Sequence, residues 1–136
     1  MAMAAEILGD RWTLLILREA FYGVQRYDDM RADLGAPRSM LTDRLAKLVE
    51  MGLLERRPYR EPGKRTREAY ALSDAGRGLA LTLMALTQWG ETYVLKGPAP
   101  VEIIDRKTGK PLRVALVDEK GRPAKLENAV LAPKAP

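Results

Sequence analysis

Residues 34–72, LGAPRSMLTDRLAKLVEMGLLERRPYREPGKRTREAYAL, contain a tight turn, an amphipathic segment and a charged hairpin, in that order. The turn Leu34-Gly35-Ala36-Pro37 ends one predicted helix and begins the next, because glycine tolerates a positive φ at a helix end and proline suits a first helical turn. Leucines then recur at i, i+4 and i+7 and predict a helix over residues 37–51 with one buried stripe. The stripe consists of Leu41, Leu45 and Leu48. The sequence therefore predicts two helices joined at an angle.

The opposite face of the second of these helices carries small polar residues flanked by cations. Small side chains let a helix approach base edges closely, hydroxyl groups hydrogen-bond with bases, and cations neutralise phosphates. These properties predict a DNA-contacting face made of Arg38, Ser39, Thr42, Asp43, Arg44 and Lys47. An ordinary amphipathic helix with a solvated polar face is the alternative.

The hairpin after this helix is cationic. Its strands are predicted over residues 53–60 and 66–72, and six cations against three acids give residues 55–68 a net charge of +3. A cationic hairpin beside such a helix suits a phosphate contact next to the groove. We therefore predict that Lys64 and Arg65, at its tip, contact the DNA backbone. A solvated hairpin whose arginines pair with its three glutamates is the alternative.

The order of the predicted elements is that of a winged helix-turn-helix domain, mainly α with a β-hairpin wing (α+β). Four helices precede the hairpin, over residues 2–8, 11–22, 26–34 and 37–51, and one long helix follows it, over residues 74–95. We predict that residues 1–96 form this domain together with its dimerisation helices.

After a predicted boundary at Gly97-Pro98, residues 97–136 form a predicted C-terminal β-hairpin extension rich in Pro, Gly and β-branched residues. Strands are predicted over residues 101–104 and 112–117. The turn sequence of residues 105–111 is echoed by residues 118–123, either as a duplicated hairpin or as convergence on turn chemistry.

The long predicted helix is apolar on two faces, so that one face is expected to pack on its own domain and the other on a partner. This pattern predicts a homodimer, with interface residues Leu79, Leu83, Leu86, Trp89 and Tyr93. A space between the subunits near Met84, Trp89 and Tyr93 would admit an aromatic or planar small-molecule effector. A completely filled interface is the alternative.

Composition excludes most enzyme mechanisms. The 136 residues include no Cys and no His, which removes thiol nucleophiles, disulfides, the usual zinc cages and histidine bases. The carboxylates weighed for catalysis are Asp28-Asp29 and Asp43. Neighbouring residues on a helix diverge by about 100°, so Asp28 and Asp29 do not converge on one substrate. We expect neither an enzyme nor a cofactor or metal site.

The net charge of +5 favours a polyanionic partner, here double-stranded DNA. Charges interrupt every long apolar stretch, and no signal-peptide pattern opens the chain. We therefore expect a soluble cytoplasmic protein with no membrane partner.

Four motifs, in this order along the chain, resemble the HxlR family of bacterial regulators. They are LGDRWTLLILRE over residues 8–19, LTDRL over residues 41–45, GLLER over residues 52–56 and YALSDAG over residues 70–76. The resemblance implies a MarR-like winged-helix homodimer that binds a two-fold-symmetric operator and controls a nearby gene.

Carried onto this sequence, the resemblance implies a recognition helix at residues 37–51, a wing at residues 60–67 and dimer contacts on the first and last helices of the domain. Many members carry a cysteine before the first helix and some sense oxidants or electrophiles with it. Thiol sensing is not expected here, because the chain has no Cys. A winged-helix module that binds another protein instead of DNA is the alternative function.

Overall fold

The computed structural model describes residues 1–133. Contacts within the chain define two compact units, Met1–Leu83 and a second unit, called here the C-terminal unit, that begins at Met84. The elements of the first unit run α1 (Ala2–Leu8), α2 (Arg11–Phe21), α3 (Tyr27–Leu34), α4 (Arg38–Glu50), β1 (Leu54–Tyr59), β2 (Arg67–Leu72) and α5 (Asp74–Arg77), and α6 (Ala80–Tyr93) continues into the second unit. This order confirms the predicted winged helix, mainly α with a β-hairpin.

The core of the first unit forms where α2, α3, α4 and the start of β1 meet. Its fully buried side chains are Ile16, Leu17, Met30, Leu41, Leu45, Leu48 and Leu54. The predicted leucine stripe of α4 is therefore confirmed as its buried face. Burial of each such side chain contributes about 1.5–3 kcal/mol to folding, which makes this stripe the main reason that α4 holds its orientation.

The turn between α3 and α4 also has the predicted geometry. Gly35 caps α3 in the left-handed region, at φ 60 and ψ 30, and its N–H bonds to the carbonyls of Ala32 and Arg31. Pro37 then stands directly before α4, with an extended backbone. The exposed face of α4 is consequently set at an angle to α3.

The hairpin pairs internally and is attached to the segment that precedes α3. β1 and β2 pair antiparallel from Leu54 opposite Leu72 to Tyr59 opposite Arg67. On the outer edge of β2, the Tyr70 N–H donates to the Gln25 carbonyl at 2.8 Å. The segment before α3 thus extends the hairpin as a single bridge.

The prediction of one long helix over residues 74–95 is wrong. The structure has two helices, α5 and α6, with a break at Gly78 and Leu79. Two glycines within three residues, Gly76 and Gly78, weaken a helix because each loses more backbone entropy than alanine does.

Gly76 also allows a close packing contact, because its position has no room for a side chain. A Cβ atom at this position would lie 2.1 Å from the carbonyl oxygen of Leu53. The neighbouring Ser73 hydroxyl donates to the Gly52 carbonyl at 2.5 Å and accepts from the Gly76 N–H at 3.0 Å. Helix α5 therefore packs directly on the base of the hairpin.

The C-terminal unit contains tight turns instead of the predicted strands, so the strands predicted over residues 101–104 and 112–117 are wrong. Single bridges join Ile104 to Pro111 and Val117 to Pro123. Proline has no N–H to donate to a ladder, and here it stands in both bridges. A short 3-10 helix follows at Leu126–Asn128.

The two echoed turns both begin with an aspartate that accepts hydrogen bonds from the backbone. The carboxylate of Asp105 accepts from the backbone N–H groups of Lys107 and Thr108, and that of Asp118 accepts from those of Lys120 and Arg122. These hydrogen bonds lower the pKa of the Asp105 carboxyl below its ordinary value. The pKa of Asp118 is lowered as well, chiefly by the hydrogen bond from the Arg122 guanidinium and then by the backbone hydrogen bonds. The sequence echo therefore corresponds to two aspartate-capped turns that differ in length by one residue.

In residues 1–133, none of the helices has the length and the apolar composition that crossing a bilayer requires. The same residues contain no group of three carboxylates that could hold a metal ion.

Candidate nucleic-acid interface

The exposed side of α4 lies opposite its leucine stripe and carries the side chains that the sequence singles out. Exposed along it are Arg38, Ser39, Thr42, Asp43, Ala46 and Lys47, whereas Arg44 is half-buried. Within residues 1–133, the Ser39 hydroxyl has no hydrogen-bond partner and neither Arg38 nor Lys47 forms an ion pair. The guanidinium of Arg38 stands 5.9 Å from the ring centroid of Tyr27.

Tyr27, which the sequence did not single out, organises the first turn of α4. Its hydroxyl lies 2.9 Å from the Arg38 carbonyl oxygen and 3.0 Å from Thr42 Oγ1. The Thr42 hydroxyl itself donates to the Arg38 carbonyl at 2.9 Å. In this arrangement the Thr42 hydroxyl presents a hydrogen-bond acceptor outward. In the major groove, the donors that suit an acceptor are the amino groups of adenine and cytosine.

Arg44 connects α4 to α2 instead of pointing freely outward. Its Nε donates to Asp10 Oδ2 at 2.8 Å, and a second nitrogen lies 2.6 Å from Asp43 Oδ2. The same Asp10 oxygen caps α2 by accepting from the N–H and the hydroxyl of Thr13, at 3.0 and 2.8 Å. The Arg44 hydrogen bond, followed by those of Thr13, lowers the pKa of Asp10 from 3.8 to about 2 despite some desolvation. These contacts hold α4 in place and neutralise much of the charge of Arg44.

Most cations of the hairpin are paired with carboxylates. Three pairs stay inside the hairpin: Lys64–Glu61 at 2.6 Å, Arg56–Glu68 at 3.1 Å and Arg57–Glu55 at 3.5 Å. Two more fasten it to the start of α3: Arg26–Glu61 at 2.7 Å and Arg67–Asp28 at 2.8 Å. Lys64 first, and then Arg26, lower the pKa of Glu61. Hence cations of the hairpin do pair with its three glutamates, as the alternative interpretation predicted.

Two hairpin cations have no carboxylate within ion-pair distance in residues 1–133, Arg60 and Arg65. Arg60 donates from Nε to the Lys64 carbonyl at 2.9 Å. Arg65, at the tip of the hairpin, is exposed. Arg65 and Arg38 line the same open cleft of about 530 Å³, between the start of α4 and the hairpin, with Tyr27 and Arg67 on its walls. Two guanidinium groups without carboxylate partners therefore face one polar groove beside the exposed side of α4.

The residues predicted for the dimer interface fall into two groups. Leu79 and Leu83 are partly buried against the core of the first unit. Leu86, Trp89 and Tyr93 are 48%, 58% and 74% exposed. The second group supplies the uncovered apolar face of α6.

The predicted effector site lies on the same helix. Trp89 and Tyr93, with ring centroids 6.2 Å apart, line an open groove of about 590 Å³ in the C-terminal unit, opposite residues 113–116. Met84 is not one of the residues that line it in the described part of the chain. Gln88 fixes the opposite wall, since its amide donates to the Val114 carbonyl at 3.1 Å and accepts from the Val114 N–H at 3.0 Å.

The sequence profile of the family described as HxlR-like helix-turn-helix matches residues 7–97. The chain belongs to the HxlR family. The match spans α2 to α6, and thus includes α3, α4 and the hairpin, which form the candidate interface described above. The family resemblance predicted from the four motifs is confirmed.

Relatives of this HxlR-family chain are named as HTH-type transcriptional regulators. It is 46% identical over 97 residues to the uncharacterised HTH-type transcriptional regulator MT3179 of Mycobacterium tuberculosis, across 71% of this chain and 60% of the relative. The chain thus spans less than two thirds of the length of that relative.

Two solved structures extend the comparison. The crystal structure of PA1607, described as a candidate transcription factor, has a TM-score of 0.83 and 31% identity, covering 96% of this chain and 91% of its own. A candidate regulator of the MarR family from Enterococcus faecalis has a TM-score of 0.58 and 31% identity, over 68% of this chain and 83% of its own. The likeness to PA1607 therefore includes most of the residues after the family match.

Proposed function

We propose that this HxlR-family chain is a sequence-specific, DNA-binding transcriptional regulator that acts as a homodimer on a two-fold-symmetric operator. In this proposal α4 enters the major groove, and the wing at residues 60–67 contacts the phosphate backbone. The observation that carries it is the exposed side of α4, with a free serine hydroxyl and unpaired cations, beside a groove that Arg38 and Arg65 share.

Each side chain on this surface has a separate role in the proposal. Ser39 reads a base edge as donor or acceptor, and Thr42 reads one as acceptor. Arg38, Lys47 and Arg65 neutralise phosphates, because no internal carboxylate competes for them.

Other predicted contact residues act chiefly by positioning. Asp43 and Arg44 hold α4 against α2 through Asp10, and Lys64 reaches a phosphate only by leaving Glu61. Their predicted DNA contacts stay predictions. A small-molecule effector near Met84, Trp89 and Tyr93 likewise stays a prediction.

The homodimer is supported by the exposed apolar face of α6. An exposed Trp and Tyr one helical turn apart form a patch that soluble monomers seldom leave uncovered. A dimer also presents two α4 helices, which on a two-fold operator meet half-sites about one helical turn of DNA apart. Such a regulator acts where the chromosome is, and we expect it in the bacterial cytoplasm.

The test begins by selecting bound duplexes from fragmented genomic DNA and measuring affinity for the selected site and for random DNA. Ser39→Ala should weaken binding to the selected site by about 1–3 kcal/mol and leave binding to random DNA nearly unchanged, because phosphate contacts remain. Thr82→Ala, an exposed helical threonine on α6, is the control and should change neither affinity.

Two outcomes would contradict the proposal. Equal loss of affinity on both DNAs would show that Ser39 does not read bases. Failure of the intact chain to bind any duplex at low and high salt would instead favour a winged helix that binds another protein.

A further inference from the structure

The apolar surface of the chain is concentrated in its C-terminal unit. Of the large apolar side chains exposed within residues 1–133, thirteen of seventeen lie at Leu86 or beyond. Over the same stretch, from Met84 to Pro133, no residue is buried. The first unit has a complete core, whereas this stretch has none.

A chain segment without buried side chains lacks the main force that opposes the conformational entropy of its ordering. Local contacts are present in the C-terminal unit: two Asp-capped turns and the pair of hydrogen bonds between Gln88 and Val114. The turn hydrogen bonds are exposed and those of Gln88 are partly buried, and each such bond contributes only about 0.5–1.5 kcal/mol net. A second surface that covers the apolar side chains would supply the larger stabilisation that this unit lacks.

The amount of apolar surface matches a protein interface. With about 60–100 Å² exposed by each side chain, the thirteen residues present on the order of 800–1,300 Å². A stable protein interface takes about 800 Å² from each partner, so the summed apolar area is large enough to supply one side of such an interface.

The groove beside α6 indicates which partner covers it. Trp89 and Tyr93 form one wall, and Leu116 and Leu126 of the C-terminal extension lie on the others. Any subunit that covers the apolar face of α6 at Trp89 must therefore also reach the extension.

The charge pattern agrees with self-association. Residues 84–133 contain eight cations and six anions, and this net charge of only +2 does not strongly select an acidic or a basic partner. Mixed charge around an apolar patch suits pairing of one surface with its own copy about a two-fold axis.

We infer that the C-terminal extension, residues 97–133, is part of the homodimer interface and becomes ordered only when a second copy of the chain covers it. This inference rests on the homodimer of the proposed function. It gives the extension a role that the DNA-binding domain alone does not require.

The first test measures the dimer dissociation constant of the full chain by sedimentation equilibrium. Leu126→Glu and Leu116→Glu place a charge on the extension, and each should raise the constant at least ten-fold. Leu126 is 78% exposed, so its replacement cannot remove a core contact. Lys107→Glu, on an exposed turn tip without apolar surface, is the control and should change the constant less than two-fold.

The second test measures amide hydrogen exchange in the intact chain at concentrations ten-fold above and ten-fold below its dissociation constant. Amides of residues 101–131 should be protected only at the higher concentration, whereas those of residues 13–72 should be protected at both.

The outcomes separate this inference from the proposed function. A dimer whose constant is unchanged by both leucine replacements, or an extension that stays protected in the monomer, would overturn the inference and leave the homodimer intact. A chain that is monomeric at tens of micromolar would overturn both.

Discussion

Replacement of Arg65 by alanine isolates the contribution of the wing to DNA binding. Arg65 has no carboxylate partner within residues 1–133 and faces the cleft that it shares with Arg38. Within the same residues its side chain makes no hydrogen bond, ion pair or core contact, so its removal should leave the fold unaffected.

The magnitude follows from counterion release. Each phosphate contact on duplex DNA contributes about −0.9 to the slope of log K against log salt, and a dimer presents two copies of Arg65. Arg65→Ala should reduce the steepness by about 1.8. Between 50 and 200 mM salt, wild-type affinity should then fall about 12-fold more than that of the variant.

Lys64 should behave differently although it is the next residue. Its ammonium lies 2.6 Å from Glu61, so a phosphate contact requires exchange of one anion for another. Such an exchange releases fewer counterions, and we expect Lys64→Ala to change the slope by less than half as much as Arg65→Ala.

The assay is fluorescence anisotropy of a labelled duplex at four or more salt concentrations, with circular dichroism as the check on folding. Arg57→Ala is the matched control, since Arg57 is paired with Glu55 along the hairpin. A folded Arg65→Ala variant that keeps both its affinity and its salt slope would refute a contact between the wing and DNA.

Three further predictions concern stability. Asp10→Asn should lower the unfolding free energy at pH 7 by about 0.5–1 kcal/mol, because the amide still caps α2 but the partly exposed ion pair with Arg44 is lost. The pKa of Asp10 is about 2 in the folded chain and 3.8 ordinarily, so the wild type should lose this advantage as the pH falls from about 4 to about 2. If the unfolding free energies of the two proteins stay equally far apart over this range, the prediction is contradicted. Tyr27→Phe should lower the unfolding free energy by about 0.5–1.5 kcal/mol in urea denaturation, because it removes the hydroxyl that bonds to the first turn of α4. An unchanged urea midpoint would contradict that contact. Gly76→Ala should cost at least about 1–3 kcal/mol because its Cβ meets the Leu53 carbonyl, whereas Gly90→Ala, with open space at the Cβ, should be neutral or stabilising, and equal effects of the two would exclude the clash.

The parts of the fold that the sequence predicted correctly depend on spacing over a few residues. The leucines of α4 and the Gly35 turn are examples, because helix period and the φ of glycine are local properties. The exposed face of α4 followed from the same period, since a residue opposite a buried stripe faces outward.

The parts that were missed depend on partners distant in sequence. Asp10 and Arg44 are 34 residues apart, and Arg26 and Glu61 are 35 apart, so no local pattern indicates that these cations are engaged. In the sequence, Tyr27 is an ordinary residue at the start of a helix, because its contact with α4 forms only in the folded chain. In the extension, β-branched residues suggested strands, but prolines at the pairing positions prevent a ladder.

The close approach at Gly76 also bears on how distant members of this architecture can be recognised. A stripe of leucines tolerates exchange among Leu, Ile and Met, and ion pairs can move to neighbouring positions during divergence. The carbonyl of Leu53 leaves room for no side chain, so a sequence with any other residue at the equivalent of Gly76 cannot seat this helix on the hairpin in the same way. In an alignment, that one column should therefore discriminate better than the proposed recognition surface, which would have to change whenever the operator changes.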